Sequence, residues 1–387
     1  MKKKRLLFLR GLAVLALAAV LLLDAGFVLL PDRVFSPVEN RNLQQRPAVT
    51  LRGITSGRFE SRFESYVNDQ FPLRDRWVAL KAALDRLMGR TESNGVFLAR
   101  HGYLIQDFSM PAESEYAANL AALRTFSERH PELPQYLLAV PTALSVYAGE
   151  LPAFAPAGDE DGYLDRLQRD LASAPLQFVD LRPDFAEAGE GPLYYRTDHH
   201  WTSDAARIAY LRLSEVAGLA GETGRFERRL LSNRFCGTLT AMSGFRTGER
   251  DDLYAYLPRE GEVRCVVQYV DEGRKSSSFY QLEYLDQRDQ YAVFFGGNHP
   301  EIRIETAVDN ERTLLVLKDS YANCFVPFLA QDYRRIVMVD PRYFTGDLEQ
   351  LMETERISEV LFLYNAATLA ADTLLRQDLV RQDLARQ

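Results

Sequence analysis

The sequence predicts an α/β fold with a central parallel sheet of about five strands, preceded by an N-terminal membrane helix. Three observations carry this. From Glu113 to Asn365, helical stretches alternate with short apolar runs, the rhythm of βαβ units. The run Leu314-Leu315-Val316-Leu317 ends at Lys318-Asp319-Ser320, and a helix-forming stretch follows. That setting exposes a hydroxyl at the carboxyl edge of a parallel sheet. Finally, Met1 to Arg5 carry four basic residues, and a long apolar segment follows.

Composition narrows the function. With 387 residues, 47% of them hydrophobic, the chain can bury a large core. Its net charge is −8, with both signs interspersed, so no basic patch argues for nucleic acid. Cys236, Cys265 and Cys324 form no CxxC pattern, which indicates neither a zinc site nor a disulfide framework. Buried free thiols are the plainer reading, and one bridge stays open. No cofactor motif is present.

Residues 1–30 read as a signal anchor whose apolar stretch of roughly 20 residues is near the length that spans a bilayer. The basic residues ahead of it predict a single-pass protein with its C-terminal domain outside the cytoplasm. No clean small-x-small site appears, which favours an uncleaved anchor over a cleaved signal peptide. Residues 31–110 follow as a juxtamembrane linker and helical subdomain. Within it Gly57 to Met88 has helical spacing, with Phe59, Phe63, Tyr66 and Val67 on one face and Trp77, Leu80, Leu84 and Leu87 on another. Phe71-Pro72 divides it into two helices, and Asn94 to Ile105 reads as a hairpin.

Residues 111–376 form the α/β domain. Its predicted strands are Tyr136–Val140, Leu176–Leu181, Tyr291–Phe295, Thr313–Leu317, Arg335–Val339 and Glu359–Leu363. Its helices are Glu113–His130, Tyr163–Ala172, Ser203–Val216, Tyr321–Ala330 and Leu348–Thr354. Between 218 and 290 the pattern turns to β-like fragments, including Arg234–Leu239 and Val263–Tyr269, read as an antiparallel insertion that walls a cleft. Residues 377–387 are a polar tail.

The chemistry centres on Tyr194-Tyr195-Arg196-Thr197-Asp198-His199-His200-Trp201-Thr202. An acidic residue two before a histidine, just ahead of a helix start, suits a carboxylate that orients an imidazole base, and Ser320 is the nucleophile it would serve. A serine at a strand–helix junction is also a common helix cap, and Asp319 is a cap of equal merit. Asp198, His199, His200 and His299 lack zinc-site spacing, so no metal is expected.

Four strings, TDHHWT, FFGGNHP at Phe294–Pro300, LKDSYANCFVPFL and VLFLYN, together resemble the DHHW family, as does Glu39-Asn40-Arg41. That family is similar to the alginate O-acetyltransferase group within the SGNH hydrolase-like fold. The resemblance implies a three-layer sandwich with circularly permuted motif order, because the Asp/His pair precedes the serine. It also implies an Asp-x-His set, which falls on Asp198 and His200 rather than His199. Ser320 is then the nucleophile, His200 the base and Asp198 its orienting acid. The oxyanion donors would be the Ser320 N–H, Asn365 and the Gly297-Asn298 turn. Asn365 remains equally readable as a turn residue. His199, Trp201 and Tyr321 fall on the substrate side, with packing the plainer reading of Trp201, and His299 is an alternative base.

The implied activity is serine acyl transfer or ester hydrolysis outside the cytoplasm, adding or removing O-acetyl groups on an envelope or secreted polysaccharide without a cofactor. The implied partners are the polysaccharide acceptor and a membrane-bound O-acyltransferase that supplies acetyl groups. The alternative is an idle binding module in polysaccharide assembly. The distance from the Ser320 hydroxyl to the His200 ring separates the two.

Overall fold

The computed structural model describes residues 2–36, 41–50, 54–55, 57–189, 191–259 and 263–385. Glu39 and Asn40 lie outside them. The chain divides into two compact units, residues 1–93 with 241–246, and residues 94–240 with 247–387.

In the first unit, helix α1 (Lys2–Leu29) carries a 22-residue apolar stretch, Phe8–Leu29, long and apolar enough to cross a membrane. Two further helices, α2 (Arg58–Gln70) and α3 (Arg74–Leu87), break between Phe71 and Leu73, as Pro72 requires. Tyr66 is the buried anchor of α2, and its hydroxyl donates to Asp32 at 2.8 Å. The predicted apolar face of α3 is not buried. Trp77, Leu80, Leu84 and Leu87 are all exposed.

The second unit holds an eight-stranded sheet. Its strands in chain order are β1 (Gln135–Val140), β2 (Gln177–Phe178), β3 (Cys265–Tyr269), β4 (Arg274–Ser276), β5 (Glu301–Thr306), β6 (Thr313–Lys318), β7 (Arg335–Val339) and β8 (Glu359–Asn365). The spatial order is β4-β3-β5-β7-β6-β8-β1-β2. The pairs β7–β6, β6–β8, β8–β1 and β1–β2 are parallel, so five strands form the parallel centre, and β5, β3 and β4 extend it antiparallel. Every residue of β1, β6 and β8 is buried, so these strands are covered on both faces. Covered faces explain why they read as unbroken apolar runs rather than alternating ones. The covering helices include α4 (Glu113–Arg129), α5 (Glu160–Leu171), α6 (Ser203–Ala217) and α7 (Ala322–Leu329).

Three predicted segments differ. Tyr291–Phe295 is not a strand: Gln290–Val293 is a 3₁₀ turn, and Phe295, Gly296 and Gly297 follow with positive φ, a backbone path that cannot stay extended. Its apolar side chains are buried all the same, which is why composition misread it. Arg234–Leu239 ends its strand at Phe235, since Gly237 turns the chain into a short helix at Thr238. The 218–290 segment serves two structures. Phe226–Phe235 pairs antiparallel with Asp251–Pro258 as a separate sheet, whereas β3 and β4 join the main one. At the end of the chain, Leu374–Ala385 is helical, and Leu375 and Leu379 are buried. The three cysteines are free.

Candidate active site

Ser320 lies two residues past the end of β6, at the carboxyl edge of the parallel strands, and two residues before α7 begins. The turn is held by Asp319 beneath it. The Asp319 Oδ1 accepts the Tyr321 N–H at 2.9 Å, and Oδ2 accepts the Asn365 N–H at 2.9 Å and its side-chain amide at 2.6 Å. Adjacent parallel strands β6 and β8 are thus pinned together at their ends. Asp319 is fully buried, and burial pushes its carboxyl up against the pull of Arg342 and these N–H donors.

The histidine arrives from the loop ahead of α6, whose N-cap is Thr202. His200 Nδ1 lies 2.5 Å from Asp198 Oδ1, and its Nε2 lies 2.7 Å from Ser320 Oγ. A carboxylate can only accept, which assigns the proton to Nδ1 and leaves Nε2 as the acceptor facing the serine. Asp198, 2% exposed, is saturated: Oδ2 accepts the Thr238 N–H at 2.8 Å and its hydroxyl at 3.1 Å. Burial alone would raise this carboxyl, but the charges of His199 and His200 and the hydrogen bonds from His200 and Thr238 hold it well below the usual carboxylate range. It stays ionised.

Groups that no local pattern marks complete the set. Tyr291 lies flat on the His200 ring, centroids 3.8 Å apart and planes 11° from parallel. Asp251 accepts the backbone N–H groups of Arg196 and Thr197 at 2.8 and 2.9 Å and the Thr197 hydroxyl at 2.5 Å, fixing the loop that carries Asp198. Thr238, Asp251 and Tyr291 come from the 218–290 region or its border, whose alternation points only to strands and turns. The Thr197–Asp251 contact spans 54 residues and leaves no periodicity to detect.

The other sequence candidates separate. Thr238 donates its hydroxyl to Asp198, so it accepts from His199 Nδ1 at 3.0 Å. His199 is thereby oriented, and its side chain is 32% exposed. Trp201 is fully buried, with its indole N–H donating to the Tyr321 carbonyl at 3.0 Å, so it packs and cannot meet substrate. Tyr321 is 1% exposed and its hydroxyl donates to the His199 carbonyl. Asn365 is not a free oxyanion donor. Its amide gives one hydrogen to Asp319 and the other to Thr368 Oγ1, and its Oδ1 accepts the Thr368 N–H as a helix cap. The Gly297 N–H is also engaged, by the Phe294 carbonyl, and Asn298 Oδ1 accepts from Lys318 Nζ at 3.0 Å. Among the described residues the Ser320 N–H donates to no protein acceptor. His299 contacts Asp271 rather than Ser320.

Lys318 is fully buried beneath the turn, between Asn298, Asn323 and Asp340, and burial brings its amine down to about 8 against the charge of Asp340. A cleft lined by Gln106, Thr142, Ala143, His199, Leu239, Tyr321 and Asn365 flanks the triad on its His199 side.

Ser320 Oγ thus lies 2.7 Å from a carboxylate-oriented imidazole. Two models match, the SGNH hydrolase-like domain of acetyltransferase AlgX over residues 101–255 and the DHHW protein model over residues 187–339. The chain resembles the DHHW and AlgX-type proteins. Both models include Asp198 and His200, and the DHHW match extends through Ser320. Among solved structures, a DHHW family protein from Eubacterium siraeum DSM 15702 shares the fold with a TM-score of 0.62 at 23% identity, covering 75% of this chain and 96% of that one. Bacillus cereus PatB1 shares it with a TM-score of 0.59 at 22% identity, covering 72% and 97%. Among curated proteins, the probable alginate O-acetylase AlgJ of Pseudomonas syringae pv. tomato is 26% identical over 236 residues, 58% of this chain and 57% of that protein. The AlgJ of Pseudomonas putida is 26% identical over 227 residues, 56% and 55%. This DHHW-like chain therefore spans somewhat more than half the length of these two curated relatives.

Proposed function

We propose that the chain is an extracytoplasmic serine acyltransferase or esterase acting on O-acetyl groups of an envelope or secreted polysaccharide through an acyl-serine. The observation that carries this is the continuous line from Asp198 through His200 to Ser320, at 2.5 and 2.7 Å. Both contacts are at hydrogen-bond reach without substrate, the range that favours an enzyme over an idle module.

Ser320 Oγ attacks the acyl carbonyl while His200 Nε2 takes its proton. The tetrahedral oxyanion is met by the Ser320 N–H, and the imidazolium is stabilised by Asp198. Collapse breaks the bond to the leaving oxygen, which takes the proton from Nε2 and departs as an alcohol. An acceptor hydroxyl or water then gives its proton to Nε2 and attacks the acyl-serine; collapse breaks the bond to Ser320 Oγ, which takes that proton back from Nε2 as the acetylated acceptor or acetate leaves.

The polysaccharide acceptor is supported by the names of the AlgJ relatives, and the envelope location by the apolar helix Phe8–Leu29 with basic residues ahead of it. A membrane-bound O-acyltransferase that supplies acetyl groups is the partner the resemblance to the alginate O-acetyltransferase group suggests. The test is p-nitrophenyl acetate hydrolysis by the full chain in detergent, with mass spectrometry of the Ser320 peptide. An added acetyl mass on that peptide, absent in Ser320→Ala, is the expected result. Hydrolysis at the parent rate by Ser320→Ala overturns the assignment.

A further inference from the structure

His299 sits beside the antiparallel edge of the sheet, between the Phe294–Asn298 loop and the start of β5, and its side chain is 8% exposed. Its Nε2 lies 3.2 Å from the Phe295 carbonyl, a group that can only accept, so Nε2 carries the hydrogen. Phe295 holds that carbonyl in place from a positive φ of 60°, an unusual conformation for a phenylalanine. The other nitrogen, Nδ1, points away from that carbonyl. What it faces is acidic: both Asp271 carboxylate oxygens at 3.3 Å and Glu272 Oε1 at 3.7 Å.

Nδ1 is thereby aimed at two carboxylates from a buried ring whose far nitrogen is already anchored, an arrangement that either a proton or a metal cation completes. We infer that His299 Nδ1, Asp271 and Glu272 bind a divalent metal of the zinc type. The three ligand atoms lie within 4.8 Å of one another. Tetrahedral bonds of ~2.0–2.2 Å place ligands roughly 3–3.6 Å apart, so the ion fits with small side-chain movements. Asp271 and Glu272 are neighbours whose side chains would diverge in a strand, but they sit in the tight turn between β3 and β4 and both reach His299. Their side chains are 36% and 43% exposed, which gives entry from solvent and room for a water ligand. A backbone carbonyl accepting from the far nitrogen is the support that metal-binding imidazoles commonly have. Arg274 takes Glu272 Oε2 at 2.7 Å, leaving Oε1 toward His299, and its charge moderates the affinity.

The neighbouring Asn298 accepts from Lys318 and from Asn323, residues that flank the Ser320 turn. Metal at His299 would therefore brace the loop that leans on this turn from the side, without entering the reaction.

The experiment is calorimetric titration of Zn2+ into the tag-free, metal-stripped full chain in detergent, with Mg2+ as the control and thermal melting as a second readout. One equivalent of zinc should bind saturably and raise the melting temperature by a few degrees, while Mg2+ does neither. Asp271→Asn and Glu272→Gln, neutral replacements of matching shape on partly exposed side chains, should each weaken binding at least tenfold, and His299→Ala should abolish it. His200→Ala should leave it intact, which separates this site from the nearby Asp198, His199 and His200 group. Absence of saturable zinc binding, or binding lost in His200→Ala and retained in the Asp271→Asn, Glu272→Gln double variant, overturns the inference and leaves His299 as an imidazolium paired with two carboxylates.

Discussion

Gly237 lies so close behind Asp198 that a Cβ added to it would fall 2.1 Å from the Asp198 Cβ and 2.3 Å from Oδ2. No flexible side-chain end can yield there, because the obstruction is the root of the orienting acid itself. Gly237→Ala should displace Asp198 and lower esterase turnover on the order of 10²–10⁴, the range expected for losing the orienting acid. Thermal melting should remain cooperative. Parent-like turnover in Gly237→Ala would show that the loop absorbs the methyl group.

Ser320→Ala and His200→Ala should each reduce turnover by ~10³ or more, and the double variant should be little worse than either, since the pair acts as a unit. His199→Ala should cost much less, because it is the His200 ring, not that of His199, that lies between Asp198 and Ser320. Single-turnover rates on p-nitrophenyl acetate check this ordering, and a larger loss in His199→Ala than in His200→Ala would reverse the choice of base.

Asn365→Ala separates structural from catalytic service. The residue caps the helix after β8 and ties it to Asp319, so its loss should cost about 1–3 kcal/mol of stability. An oxyanion donor would instead cost ~10²–10³ in rate. Parallel denaturant melts and kinetics distinguish the two, and a stable variant with a rate loss of that size would restore Asn365 to the oxyanion hole.

Glu160 predicts a pH dependence. It is 2% exposed and accepts the Thr142 N–H and hydroxyl, each at 2.6 Å, yet burial raises its carboxyl to about 7. The folded state therefore holds a proton that the unfolded chain releases near its ordinary value of 4.5. Stability from this group is full below that value and is lost as pH rises to about 7, a total of about 3 kcal/mol. Glu160→Gln keeps both contacts, its Oε1 accepting from the N–H and its Nε2 donating to the hydroxyl. It should be more stable than the parent at pH 8 and flatten the curve between pH 4.5 and 7. Identical pH profiles in urea unfolding would show that Glu160 is ionised throughout.

Much of the architecture was legible because its causes are local. β1, β6 and β8 are buried on both faces, so they had to be continuous apolar runs. Asp198 and His200 stand two residues apart, and that spacing alone lets one carboxylate oxygen accept both the backbone and the ring N–H of the histidine. Ser320 stands two residues past the end of a strand, so its place at the sheet edge follows from chain order.

What remained belongs to contacts between distant segments. His200 meets Ser320 across 120 residues only because β6 lies at the centre of the sheet and the loop before α6 reaches its carboxyl edge. Asn365 has the composition of an oxyanion donor, and only the pairing of β6 with β8 shows that Asp319 and Thr368 already take both of its amide hydrogens. Tyr291 looked like part of a strand because its neighbours are apolar, whereas the positive φ angles from Phe295 to Gly297 turn that stretch and lay its ring on His200. Composition records how much surface a residue must bury; which partner buries it is decided by the order of the strands.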